Sequence, residues 1–406
     1  RRSHSSINSP SGDRGPCTYS SVEEPSSPRG SKFTQGEQAN ALSFKERLQV
    51  WCIERDVPHV TVTGLLRVLR SHTCFSSFPK TARALLLTPR SAEDVRPMGS
   101  SQYCHFGLSE SLQDALKIVM FVPDPVILHI NVDGLLLTKS TRDQFWPILC
   151  RGANCEGSTP FPIGIYYGQS KALEPNVFLH QFLLDMKAAL HEGVFVKDRV
   201  IRVKLRAIIC DAPAKAYILG TKSHSGYFSC PKCTTEGDYK HGHMCFPELD
   251  APLRTDLDAG QEDHHLSDTM LKELPIDLIK QVPLHYMHLA CLGVVRKLLL
   301  LWMKGEKTYR IGKKKSRESV SGANTEIQHY VPSEMSRKPR SLSDIDRWKG
   351  SEFSLFLLYT GSMVLKSNVP HQAADNLMAL HTAMSILCSP LSCAEHLEYA
   401  EKLLVH

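Results

Sequence analysis

The chain has 406 residues, 42% of them hydrophobic and 22% charged, which is ordinary for a globular protein and long enough for a large core with an insertion or accessory domain. Thirteen cysteines, an odd number, with no signal peptide and no apolar run of transmembrane length, argue against a secreted disulfide framework or a membrane protein. They favour a reducing compartment with free thiols and room for a metal site. A net charge of +6 and a pI near 8.6 tilt the reading towards a nucleic-acid partner.

The chain begins with Arg rather than Met and stops inside a helical pattern, which reads as a fragment at both ends. Residues 1–42 are rich in Ser, Pro, Gly and Arg, cannot bury enough surface to order themselves, and read as a disordered tail. Ser43 and Glu46 form a capping box, after which Phe44, Leu48 and Trp51 line one face of a helix ending near Asp56, before Pro58. TVTGLLRVLRSH predicts a second helix and PKTARALLL a third, with Arg67, Arg70 and Arg83 on polar sides. Two readings fit this unit, a DNA-binding helix-turn-helix and a packing domain with solvated arginines. LSESLQDALKIV, capped by Ser109 or Ser111, then leads through Pro123 and Pro125 to the core.

VILHINVDGLLL is too short for a buried helix and is β-branched, so it predicts a buried strand with Asp133 near its end. RVIRVKLRAIICDAP repeats the pattern and closes on Asp211. Between them QFWPILCRG and PFPIGIYYG predict strands. PNVFLHQFLLDMKAALHEG predicts an amphipathic helix, with Phe178, Phe182, Met186 and Leu190 four apart, Pro175 at its start and Gly193 at its end. The order strand, strand, strand, helix, strand is the layout of the ribonuclease-H-like α/β fold, whose first and fourth strands lie side by side. Two acids at those strand ends could serve one divalent ion, the oxygen-ligand start for Mg²⁺ or Mn²⁺ in phosphoryl transfer. Each could also simply cap its turn. Lys139, Arg142 and Lys171, in loops after strands, could meet phosphates or stay solvated.

Beyond the helix APAKAYILGT, Cys230 and Cys233 flank Pro231-Lys232, a turn that offers two thiolates to one tetrahedral ion. Two groups could complete such a site. One is local, His241, His243 and Cys245; the other is distant, His285, His288 and Cys291, three apart and so on one helical face. Residues 251–281 read as an irregular insertion. HLACLGVVRKLLLLWMKG reads as a helix with Leu289, Leu292, Val295, Leu299 and Trp302 facing the core and Gly305 ending it. Residues 306–343 are poor in apolar side chains and read as a loop, in which Lys313 to Arg317 suits a nuclear localisation signal, a DNA contact or plain solvation. Glu352 opens the next helix, where the dipole would favour it. DNLMALHTAMSILCSP and AEHLEYAEKLLVH read as closing packing helices.

From Phe44 onwards the blocks INVDGLLLTKSTRDQFWPILC, PFPIGIYYGQSKALEPNVFLHQFL, IICDAPAKAYILGTKSHSGYFSCPKC, HYMHLACLGVVRKLL and SEFSLFLLYTG closely resemble the transposases of the CACTA/EnSpm group of cut-and-paste DNA transposons. The resemblance implies a DDE enzyme that cleaves transposon ends and transfers the strand. Asp133, Asp211 and Glu352 would be its carboxylates, with Asp344 and Asp346 as substitutes for the third. It implies catalytic Mg²⁺ or Mn²⁺ and a structural Zn²⁺ held by Cys230 and Cys233 with the distant histidines, His288 first. Members of the group often carry Asp where His285 stands, so the fourth ligand remains His285, Cys291 or the local His243 and Cys245. DNA partners, a homo-oligomer, a nuclear location and no membrane association follow from the same resemblance. So does a rival, a domesticated transposase that binds DNA or chromatin without cutting it. The expected regions are a tail (1–42), a helical region (43–120), a ribonuclease-H-like core with two acids (121–222), a zinc-binding insertion with a basic loop (223–345) and C-terminal helices with the third acid (346–406).

Overall fold

A computed structural model describes residues 43–88, 94–138, 140–240, 242–255, 263–308, 310–311, 314–365 and 370–405. The tail 1–42, Lys139, His241 and Lys313 lie outside the described residues. Two compact units divide between Ser91 and Ala92.

The first unit is helical: α1 (Phe44–Glu54), α2 (His59–Leu69) and a single turn, α3 (Ala82–Leu85). The Ser43–Glu46 capping box is formed in both directions. The buried face of α1 carries Cys52, backed by Leu48, whereas Phe44 and Trp51 are exposed. The third expected helix shrinks to four residues because Thr81 caps it and Leu87, at φ +52°, ends it.

The second unit opens with strands that periodicity did not predict, β1 (Val95–Met98) and β2 (Ser101–His105), followed by α4 (Leu108–Lys117). The core elements follow in the expected order: β3 (Val126–Val132), the short β4 (Leu135–Leu136), β5 (Gln144–Gly152), β6 (Phe161–Gly168) and α5 (Pro175–Glu192). After β7 (Val194–Val196), its hairpin partner β8 (Arg199–Ile201) takes the first part of what read as one long strand, leaving β9 (Val203–Cys210) and then α6 (Ala212–Leu219). Lys197 (φ +49°) and Asp198 (φ +64°) make the hairpin turn, while Gly193, at φ +79°, ends α5 where a Cβ would come within 2.7 Å of the Ile201 carbonyl oxygen.

The main sheet runs β1-β2-β6-β5-β3-β9, with β4 against β5. Pairings are antiparallel except for β3 and β9, which run parallel. Alternation decides the faces: Val126, Leu128, Ile130 and Val132 are buried while their neighbours in β3 are half-exposed. Phe178, Phe182 and Met186 of α5 belong to the same core. No serine caps α4; Gly107 is its N-cap, and Asp185 of α5 accepts a hydrogen bond from the Leu108 amide at 2.8 Å. Because β2 pairs with β6, residues 95–105, expected in a helical region, belong to the sheet.

After α6 come a hairpin of β10 (Asp238–Lys240) and β11 (His243–Cys245) and the short α7 (Leu278–Gln281). A π-helical segment (Met287–Val295) runs into α8 (Arg296–Lys304). The wider π turn shifts the phase of the apolar stripe. Val295, Leu299 and Trp302 are buried as expected, but Leu289, on the far side of the shift, is exposed. The stretch expected to be a solvated loop contains α9 (Lys314–Glu326), anchored by buried Val320 and Asn324. The chain closes with α10 (Gly350–Leu355), a π-helical turn (Phe356–Thr360), α11 (Gly361–Leu365), α12 (His371–Leu387) and α13 (Pro390–Val405). Val295, Leu299, Trp302, Trp348, Phe353 and Phe356 form a second core.

Candidate active site

Parallel pairing of β3 with β9 matches Val132 to Cys210, so the next residue on each strand is an acid, Asp133 on one and Asp211 on the other. Neighbouring strands lie about 4.8 Å apart, which brings the two carboxylates to the same end of the sheet. Each makes a local hydrogen bond: Asp133 Oδ1 accepts from the Gly134 amide at 2.8 Å, and Asp211 Oδ1 caps α6 from the Ala214 amide at 2.7 Å. Gly134 is needed there, since a Cβ would meet the indole of Trp146 at 2.9 Å. Burial and then the negative charge of Asp211 push the Asp133 carboxyl above its ordinary value, against the pull of the Gly134 amide and of His288 and His285. Like charges forced together in this way are what a bound cation relieves.

Those histidines tie the acids to the cysteines. His285 and His288 sit at 2.7 Å, Nδ1 to Nδ1, and the His285 ring is held below its ordinary value by burial and then by His288, while Asp133 and Asp211 act in the opposite sense. Cys230 and Cys233 sit at 3.3 Å, sulfur to sulfur. All four line one cavity of about 430 Å³. Cys291 is fully buried against Tyr286 and does not line it, nor do His243 and Cys245 of β11.

Among the described residues no group of three or more His, Cys, Asp or Glu side chains is gathered tightly enough to hold a metal ion. A tetrahedral zinc with sulfur at about 2.3 Å and nitrogen at about 2.0 Å needs edges of about 3.8 Å and 3.3 Å, so each pair would open by roughly half an ångström to take one. The donor chemistry nonetheless suits zinc, two thiols and two imidazoles across one cavity. The Ser229 hydroxyl, only 5% exposed, also lines the cavity and has no partner.

The cysteine turn is built by residues that motif reading passed over. Arg254, buried, donates from Nε to the Cys230 carbonyl at 2.9 Å and from Nη2 to the Phe228 carbonyl at 3.0 Å. His264 contacts the Phe228 carbonyl through Nδ1 at 2.8 Å, and burial takes its pKa down to about 4. Lys215, buried four residues after Asp211, donates to the Val282 carbonyl at 2.5 Å, and burial and then Lys232 take its pKa down to about 8. Of these, His264 was visible in the sequence as half of a His264-His265 pair with no role attached; Lys215 and Arg254 were not singled out.

Glu352 has its carboxylate paired with an arginine. It is 3% exposed, and Arg340 grips both its oxygens, Nε on Oε1 at 2.5 Å and Nη2 on Oε2 at 2.8 Å, while Oε2 also accepts from the Lys349 amide. Helix α10 meets the His288 segment through Gly350, where a Cβ would strike Met287 Sδ at 2.6 Å, and through Ser354, 3.2 Å from the Tyr286 hydroxyl. Gly350 and Ser354 share one face of the helix, and Glu352 lies about 160–200° round from them. Of the substitutes, Asp346 is exposed and paired with Lys304, and Asp344 is exposed. Searches for relatives return no matching protein-family model and no matching curated protein.

Proposed function

We propose that this chain is a DDE-type transposase whose ribonuclease-H-like core uses Asp133 and Asp211 for metal-dependent cleavage and strand transfer of DNA. The observation that carries the reading is the register of the parallel pair β3 and β9, which sets the two acids side by side at strand ends. With antiparallel partners on the other side of β3 and α5 preceding β9, the connectivity supports the ribonuclease-H-like layout. When Mg²⁺ or Mn²⁺ ions are bound, they supply Lewis-acid activation of water or a 3′-hydroxyl and stabilise the leaving oxygen. Asp133 and Asp211 would hold the ions and orient them. Cys230, Cys233, His285 and His288 would hold Zn²⁺ as a structural ion, fixing the insertion against the acids.

Glu352 favours a second reading, a transposase-derived protein that binds DNA without cutting it, because its carboxylate is committed to Arg340. Cleavage of a labelled transposon-end duplex with Mg²⁺ or Mn²⁺, with binding measured in parallel, separates the two. Asp133→Ala and Asp211→Ala should each lower cleavage by about 10²-fold or more while leaving binding intact, since removing one electrostatic stabiliser costs on that order. Glu352→Ala cleaving like wild type would move the third acid to Asp344 or Asp346. Wild-type protein that binds but never cuts would establish the second reading. Among the described residues no helix is long and apolar enough to cross a membrane. We further propose a nuclear location and self-association, in keeping with a DNA substrate that has two ends.

A further inference from the structure

We infer that two grooves meeting at Lys304 form a track for the phosphate backbone of duplex DNA. One groove, of about 380 Å³, lies along α8 between Arg296, Lys297 and Lys304; the other, of about 690 Å³, lies between the end of α8 and the start of α9, with Lys304, Lys314 and Arg317 on its walls. The inference rests on the DNA-directed reading above but does not depend on cleavage.

Charge complementarity chooses the occupant. Two carboxylates stand beside these cations, Glu318, which is 3.7 Å from Lys314, and Asp346, which pairs with Lys304 and lies near Arg296, and Arg317 also donates from Nη1 to the Ile311 carbonyl at 2.7 Å. Both pairs are exposed, with every side chain at least 45% accessible, so a phosphate can displace either carboxylate at small cost. The wider groove is also lined by Ser321, Thr325, Ser341 and Ser343, whose hydroxyls bond one another and the Ser321 carbonyl, so a phosphate would take them in exchange for those bonds. Hydroxyls alongside Lys and Arg are the donors that backbone-directed contacts with DNA use, and none of them reads a base. From Arg296 to Lys304 is about 12 Å of helix. That length corresponds to about three or four phosphates of one strand, which succeed one another every 3.4 Å of duplex axis.

The test is the salt dependence of binding to a labelled duplex of arbitrary sequence, with cleavage assayed separately. The triple variant Arg296→Gln, Lys297→Gln and Lys314→Gln removes cations and keeps helix-forming side chains. Its charge-matched control is Lys187→Gln, Lys272→Gln and Lys280→Gln, lysines that are half-buried (Lys187) or exposed and paired elsewhere on the unit. The slope of log affinity against log salt should fall by about 0.9 for each lost contact, so by about 2.7 in the triple variant, with affinity at 0.15 M salt down roughly tenfold or more. The control should keep the wild-type slope. Equal slopes for triple variant and control would overturn the track, as would a wild-type protein that binds no duplex. Wild-type protein that binds with the expected slope and never cuts would remove the nuclease reading and leave the track standing.

Discussion

Replacing Arg340 by Ala tests what Glu352 is for. In the folded chain the Glu352 side chain is 2% accessible and Arg340 38%, so the substitution leaves a buried carboxylate with one partner, the Lys349 amide. Breaking a fully buried pair costs about 3–5 kcal/mol. Because one end is partly hydrated and the amide bond survives, the expected loss is about 2–3 kcal/mol at neutral pH, a fall in Tm of roughly 3–5 °C for a unit of this size. The pH dependence gives the sign. In the wild type, burial pushes the Glu352 carboxyl up, but the Arg340 hydrogen bonds, the Lys349 amide and the Arg340 charge outweigh it and hold it below 4.5. That contribution is present above 4.5 and is lost as pH falls through the depressed folded value. In the variant burial prevails and the folded value rises above 4.5, so the carboxyl protonates to relieve the strain. The deficit against wild type is therefore largest at pH 7 and narrows towards pH 4–5. Chemical unfolding of both proteins at pH 7 and pH 5 measures it. Equal stability at both values would refute the assignment of Arg340 as the buried acid's counter-charge. An Arg340→Ala protein that cuts DNA faster than wild type would show Glu352 to be a metal ligand held in check.

Gly134→Ala should cost about 1–3 kcal/mol by forcing a methyl group against buried Trp146, and should impair cleavage through Asp133; unchanged melting would refute the close approach. Burial raises the Asp185 carboxyl, but the His105 hydrogen bond, the Leu108 amide and the His105 charge outweigh it and leave it below 3.8. Its stabilisation therefore holds above 3.8 and fades as pH falls through the depressed value. Asp185→Asn should flatten the acid limb of the stability profile, and an unchanged limb would count against this. If the four candidate ligands hold zinc, metal analysis should find about one ion per chain, lost in Cys230→Ser and in His288→Ala and retained in His243→Ala. Zinc retained in Cys230→Ser, or absent from the wild type, would overturn that site.

What the sequence determined by itself was local and repetitive. The short β-branched and apolar runs VILHINV and LRAIIC, the turn residues after each acid and the four-residue spacing of PNVFLHQFLLDM identified β3, β9 and α5, because run length, period and punctuation act over a few residues. The Cys230–Cys233 turn and the His285–His288 pair were legible for the same reason, since three-residue spacing brings such side chains together without help from the fold. Tertiary structure decided everything that depends on long-range pairing. Register between strands seventy-eight residues apart set Val132 opposite Cys210, and so joined two acids that the sequence shows only as separate strand ends. Strands β1 and β2 and helix α9 carry weak periodicity and exist through the partners they pair with or pack on. The π-helical turn moved Leu289 out of the core by changing the period on which the expectation rested. Glu352 is the sharpest case. Its place at a helix start was readable, but whether its carboxylate faces a metal or an arginine depends on where the chain between α9 and α10 returns, and it returns with Arg340 against both oxygens.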